Sequence, residues 1–144
     1  MPWVLRHPGF HPAANRIFDR VAKTASDDDG NGGAPERRIF IVRQKRARRL
    51  TNARQVRALF EARGFEAVLP ERLPFLDQVR LFVGARFVAG EAGSALHGTV
   101  FSKPGMTTLE LRPETYHVHG QPAIAVLIPI PLTGSPLRRS AAGP

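Results

Sequence analysis

Between Val88 and Leu111 the sequence VAGEAGSALHGTVFSKPGMTTLEL gathers glycines, hydroxyls, a histidine and two carboxylates in one short stretch. Gly90 and Gly93 allow a backbone to approach an oxyanion with no Cβ in the way, and the amides of Ser94 and Ala95 would open the following helix toward it. A tight strand-to-helix turn capped by Ser94 explains the same spacing, and both readings stay open at this point. The stretch is not a P-loop, because the Gly-Lys-Ser/Thr ending is missing. It is not the dinucleotide fingerprint either, since the third glycine is misplaced. His97 has the chemistry of a base, a phosphate donor or a sugar ligand, and Glu91 and His97 are the candidates for a catalytic step. Glu110, a carboxylate between two leucines at a strand end, suits a ribose or sugar hydroxyl, or simply the outward position of an alternating edge strand. Arg43 closes another apolar run and, with Lys45, Arg46, Arg48 and Arg49, could neutralise a diphosphate, because a guanidinium holds phosphate in a bidentate fork. The pair His117 and His119 has no third ligand nearby in sequence, and His7 and His11 lie in a Pro/Gly segment, so no metal site is expected. No Gly-x-Ser-x-Gly nucleophile motif is present.

These residues need a scaffold, and the chain supplies a regular alternation. PAANRIFDRVAKTA places Ile17, Phe18, Val21 and Ala22 on one face of a short amphipathic helix. SDDDGNGGAPE, Ser26 to Glu36, reads as a linker. RRIFIVR is a buried strand. TNARQVRALFEARG is a helix opened by Thr51 or Asn52, carrying Val56, Leu59 and Phe60 inward and stopping at Gly64. FEAVLP is a strand, and PFLDQVRLFVGA is a helix with Leu76, Val79, Phe82 and Val83 at helical spacing. RFVAG is a third strand, SALHGTVF a short helix, and TTLEL a fourth strand, while AIAVLI could add one more. Strand and helix in strict turn predict a Rossmann-like α/β fold, a parallel sheet with right-handed crossovers and flanking helices. The expected organisation is a helix and linker over 1–36, the Rossmann-like domain over 37–112, and a Pro-rich tail over 113–144. Open parallel sheets bind ligands beyond the C-terminal ends of their strands. Arg43, Glu91, Gly93, Ser94 and Glu110 all fall at such ends.

Composition narrows the classes. At 144 residues the chain can bury a real core. It has no cysteine, which excludes disulfides, thiolate nucleophiles and Cys-ligated zinc. No apolar run reaches the roughly 18–20 residues of a membrane helix, and the N-terminus has no signal-peptide core, so a cytoplasmic protein is expected. The net charge of +9 suits an anionic partner. The excess peaks between Arg37 and Phe60, where nine Arg or Lys residues stand with no acid. A basic nucleic-acid-binding module is therefore the alternative, but the stretch lacks interleaved aromatics and matches no reading motif.

Ile39 to Leu111 resembles the C-terminal catalytic region of glycosyltransferase family 61, whose members include bacterial enzymes of capsular polysaccharide biosynthesis. The matching features run in order: a strand ending in Arg43, RRLTN opening a helix, GFE, P-E-x-L, FLDQVRLFVGA, GEAGSALH, a Phe before KPG, and LEL. The resemblance implies the C-terminal half of a GT-B fold, transferring sugar from a nucleotide-sugar donor to a glycan acceptor without a metal or other cofactor. It implies that Arg43 and Arg49 face the donor diphosphate, that Gly90, Gly93 and Ser94 cradle phosphate or sugar, and that Glu110 holds ribose or sugar. Many relatives carry a histidine where this chain has Ala92, so His97 is expected to take over part of that role. Little precedes the first strand, so a truncated member lacking its N-terminal acceptor-binding domain is expected.

Overall fold

The computed structural model describes residues 13–27, 37–43, 50–112 and 132–133. Helix α1 covers Ala13–Asp27 and strand β1 Arg37–Ile41. They are followed by α2 (Ala53–Glu61), β2 (Glu66–Val68), α3 (Phe75–Val83), β3 (Ala85–Glu91), β4 (Thr107–Leu111) and the two-residue β5 (Leu132–Thr133). Short 3-10 helices lie at Pro70–Arg72 and at Ser94–Phe101. The five strands form one sheet in the order β2-β1-β3-β4-β5, and every pairing is parallel. The expected Rossmann-like α/β fold is present.

Alternation along the central strands explains the layers. Ile39 and Ile41 of β1, with Val88 of β3, face a core shared with Leu81 and Phe82 of α3, Leu96 and Met106. Phe40, Ala89 and Leu111 point the other way and are covered by Val56 and Phe60 of α2 and by Phe65. A strand buried on both faces reads as a continuous apolar run, which is why RIFIV is unbroken. The two cores put α2 on one face and α3 on the other. Helix α1 lies against α3 and the Ser94–Phe101 helix. Phe18 meets the Phe101 ring edge-on at 5.7 Å, and Arg80 Nε of α3 donates to Ala25 O at 3.0 Å.

Helix α2 ends as its glycine predicts. Gly64 has φ 78°, its N–H donates to Glu61 O at 3.0 Å, and the Phe65 N–H donates to Phe60 O at 3.1 Å. The rings of Phe60 and Phe65 then meet edge-on at 5.1 Å, closing the motif with an apolar contact. At the other end Asn52 occupies the cap position without a side-chain bond.

Several expected boundaries and faces differ. Helix α1 continues through Ser26 to Asp27, with Ser26 Oγ bonded to Ala22 O at 2.9 Å, so these two residues of the expected linker are helical, and the rest of it lies outside the described residues. Ile17, Leu59 and Leu76 are exposed, whereas Ala25 and Leu81 are buried. Each helix is rolled slightly from the face its apolar residues suggest, because shape fit against the sheet chooses among neighbouring apolar positions. SALHGTVF is a 3-10 rather than an α-helix. Within it a Cβ on Gly98 would overlap the ring of buried Phe82, so this segment seats its backbone directly on α3. AIAVLI lies outside the described residues.

Gly98→Ala is therefore expected to cost about 1–3 kcal/mol of folding stability through overpacking. Urea denaturation of the variant beside the parent protein checks this, and equal midpoints would contradict the contact.

Candidate functional site

The order β2-β1-β3-β4 makes the chain reverse direction across the sheet between β1 and β3. Connections from those two strands leave to opposite faces, so a crevice opens at their C-terminal ends. It is occupied by a cleft of about 730 Å³. The end of β1 lines it with Ile41 to Arg43, the end of β3 with Glu91, and the start of the 3-10 helix with Gly93 to Ala95. Pro70, Glu71 and Gln78, from the β2-to-α3 connection and α3 itself, close the far wall.

Arg43 crosses the mouth of this crevice. Its Nη1 donates to Ala92 O at 2.8 Å, and its guanidinium lies against Gly93, where an added Cβ would sit 3.4 Å from Cζ. Gly93 has an extended backbone, φ 160° and ψ 174°, so its value here is the open surface it offers the guanidinium. Two residues before it, the Glu91 carboxylate, on a residue only 9% exposed, accepts the Leu50 N–H on Oε2 at 2.9 Å. A buried carboxylate needs such a donor. Consecutive residues at the end of β3 thus bind Arg43 and Leu50, the residues on either side of the span 44–49. Arg49, like Lys45, Arg46 and Arg48, lies outside the described residues.

Ser94 opens the 3-10 helix, whose first turn is closed by the Leu96 N–H on Gly93 O at 3.1 Å. The N–H groups of Ser94 and Ala95 precede that bond, and both residues line the cleft. Gly90 contributes differently. A Cβ there would lie 2.8 Å from Ile41 Cβ and 3.1 Å from Ile41 O, with Leu96 packed above. Its lack of a side chain lets β1, β3 and the 3-10 helix come together, and it does not line the cleft.

Glu110 pairs in register with Gly90, which pairs with Ile41, so the three form a row across β4, β3 and β1. Glu110 is half-buried, and burial pushes its carboxyl above the ordinary value, while the charges of Arg112 and exposed His97 pull it partly back. His97 of the 3-10 helix and Glu110 of β4 thus interact apart from the cleft that Arg43, Glu91, Gly93 and Ser94 line. Glu71 and Gln78 were missed from sequence. Glu71 satisfies the rule of lying just past a strand, but Gln78, in the middle of a helix, gives no signal.

A smaller cleft of about 240 Å³ lies on the α2 side of Arg43 and Glu91, lined also by Phe40, Ala53, Arg54 and Arg57. Part of the basic run is already paired: Arg57 with Glu61 at 2.8 Å and Arg37 with Glu66 at 2.6 Å. Among the described residues no group of three or more His, Asp or Glu side chains could hold a metal ion, and no helix is long and apolar enough to cross a membrane. His7, His11, His117 and His119 lie outside the described residues.

The sequence model of the family described as Glycosyltransferase 61 matches residues 3–109. No curated protein matches the chain.

The raised Glu110 pKa has a direct consequence. Stability contributed by this carboxyl is complete below its ordinary value of 4.5 and is lost as pH rises through the raised folded-state value. Glu110→Gln is expected to be more stable than the parent at pH 7, with the difference closing below about pH 4.5. Denaturation midpoints of both proteins across that range check it, and a pH-independent difference would contradict the burial effect.

Proposed function

Since the chain belongs to the glycosyltransferase 61 family, we propose that the cleft at the β1/β3 reversal binds the diphosphate of a nucleotide-sugar donor. One observation carries the reading: Arg43 and the first two residues of the 3-10 helix, Ser94 and Ala95, line the same crevice, at the position where open parallel sheets take ligands. In this reading Arg43 and the amides of Ser94 and Ala95 hold the phosphate oxygens. As the bond from the anomeric carbon to the diphosphate breaks, its electron pair leaves on a phosphate oxygen. Donors already fixed in place stabilise that developing charge without reorganising. The Ala92 carbonyl contributes by holding Arg43 in its orientation before a ligand arrives.

The transferred sugar would extend along the 3-10 helix toward His97 and Glu110, and a hydroxyl of a glycan acceptor would attack from that open side. Of the two residues expected at the catalytic step, His97 is the more accessible to an acceptor hydroxyl, being exposed and close enough for its charge to act on Glu110. Glu91 is buried and its carboxylate already bonds a backbone amide, which suits a supporting role. A role in polysaccharide biosynthesis, with a separate acceptor-binding domain, follows the same family reading.

Titration calorimetry with uridine, guanosine and cytidine diphosphates tests it. Saturable binding of at least one is expected, and Arg43→Ala should weaken it by roughly 1.5–3 kcal/mol, the worth of a hydrogen bond to a charged group. Failure of all three to bind the folded protein would sink the reading, and an unchanged affinity in the variant would remove Arg43 from it.

A further inference from the structure

Helix α3 carries an apolar stripe that runs past the end of the core. Phe75, Val79 and Phe82 stand at i, i+4 and i+7, on one face of the helix. Val79 is 0% and Phe82 1% exposed, whereas Phe75, at the first position of the helix, is 59% exposed and Leu76 after it 42%. The Phe75 ring is nevertheless held in place. It meets Phe101 edge-on at 6.0 Å and 81°, and Phe101 in turn meets Phe18 of α1 edge-on at 5.7 Å. An edge-on contact covers at most one face of a ring, so Phe101 leaves at least one face of Phe75 uncovered. Both elements that hold the ring also wall the larger cleft. Helix α3 does so through Gln78, a surface neighbour of Phe75 at i+3, and the 3-10 helix of Phe101 through Ser94 and Ala95.

An aromatic face carries the negative end of the ring quadrupole, so it does not attract phosphate. The ligand that suits it lays weakly positive C–H groups over a flat area the size of the ring and turns its hydroxyls to polar neighbours and water. A pyranose whose ring C–H bonds are axial has that form. We propose that Phe75, its surface extended by Leu76, is a stacking platform for a pyranose ring of the acceptor glycan at the rim of the cleft. The position fits the acceptor rather than the donor. Phe75 stands outside the cleft lining, beside its far wall, whereas Arg43 and Ser94 stand at the ends of β1 and β3. The 3-10 helix leads from Ser94 in the cleft to Phe101 against the platform, so a glycan there lies on the side from which its hydroxyl attacks. Gln78 Nε2 donates to Leu73 O at 2.9 Å, which leaves Oε1 to accept a sugar hydroxyl beside the ring. Because Phe101 already fixes the ring, stacking costs little side-chain freedom.

The inference rests on the donor-cleft reading for the acceptor role of the glycan, and the test separates the two. Cellotetraose, chitotetraose and xylotetraose, all neutral, are titrated into the full chain and into Phe75→Ala, Phe75→Leu and Phe75→Trp. Binding is followed by saturation-transfer NMR with irradiation of the aromatic protons. With the parent, saturation is expected to reach the axial ring hydrogens of at least one oligosaccharide. Phe75→Ala should weaken that binding at least about fivefold, Phe75→Leu nearly as much, and Phe75→Trp should retain it. Phe75 is exposed, and unchanged melting temperatures verify that the variants fold. Affinity for uridine, guanosine or cytidine diphosphate should be equal in the parent and all three variants. Absence of transfer to every oligosaccharide, or binding that survives Phe75→Ala, overturns the platform while leaving the diphosphate cleft standing. Self-association of the parent that Phe75→Ala abolishes, read by sedimentation, makes the surface a contact between copies and overturns it as well. Failure of all nucleoside diphosphates, with Phe75-dependent oligosaccharide binding intact, takes down the donor reading and keeps the platform.

Discussion

β1 and β3 lie side by side although α2, β2 and α3 separate them in sequence, and the organisation of the molecule depends on that pairing. Because both strands are central, each must be covered on two faces, which demands the α2 layer on one side and the α3 and α1 layer on the other. Because the pairing is parallel, all strand ends with functional residues emerge at the same edge. The contact has a strict steric condition at Gly90, where any side chain would meet Ile41. With glycine there, Leu96 can descend onto the row, and the 3-10 helix that begins at Ser94 is brought down over the end of β3.

The end of β3 also organises the site. Its residues 91 and 92 take the Leu50 amide and the Arg43 guanidinium, so the chain on both sides of the span 44–49 is anchored to the same point. A charged donor bonded to a carbonyl, as Arg43 is to Ala92, is held in orientation before it meets a ligand, which reduces the reorganisation that binding an anion would otherwise require. Glu91 lines the same cleft as that guanidinium, and its own burial is stabilised by the Leu50 amide. The cleft is therefore neither uniformly basic nor apolar. Arg43 and Glu91 line it at the ends of β1 and β3, and Glu71 and Gln78 on the far wall.

Much of this was legible in the sequence, for local reasons. RIFIV, RFVAG and TTLEL are strands because β-branched and aromatic residues fill them, and Gly64 ends α2 because the chain there needs a positive φ. Arg43, Glu91, Gly93 and Ser94 were found by their position just past strands, and they do share one cleft. Helix faces were less secure. Val56 and Phe60 face inward as expected, but Leu59, Ile17 and Leu76 do not, since periodicity defines a face only to within a neighbouring residue. The 3-10 form of Ser94–Phe101 had no local signature, because its tight seat depends on Phe82 beneath Gly98. Gly90 looked like a ligand glycine and has a packing reason instead, visible only once Ile41 is beside it.

By itself the sequence determined the alternation of elements, the parallel α/β class, the residue types able to meet an anion, and the family. All of these are written in patterns a few residues long or in their order along the chain. Only the tertiary structure decided the strand order, the place of the crevice at β1 and β3, the separation of Glu110 and His97 from Arg43, and the entry of Glu71 and Gln78 into the far wall. The physical reason is that these features follow from which strand pairs with which and on which face each crossover packs. Such long-range contacts are selected by the fit of whole layers, and no short stretch of chain encodes them.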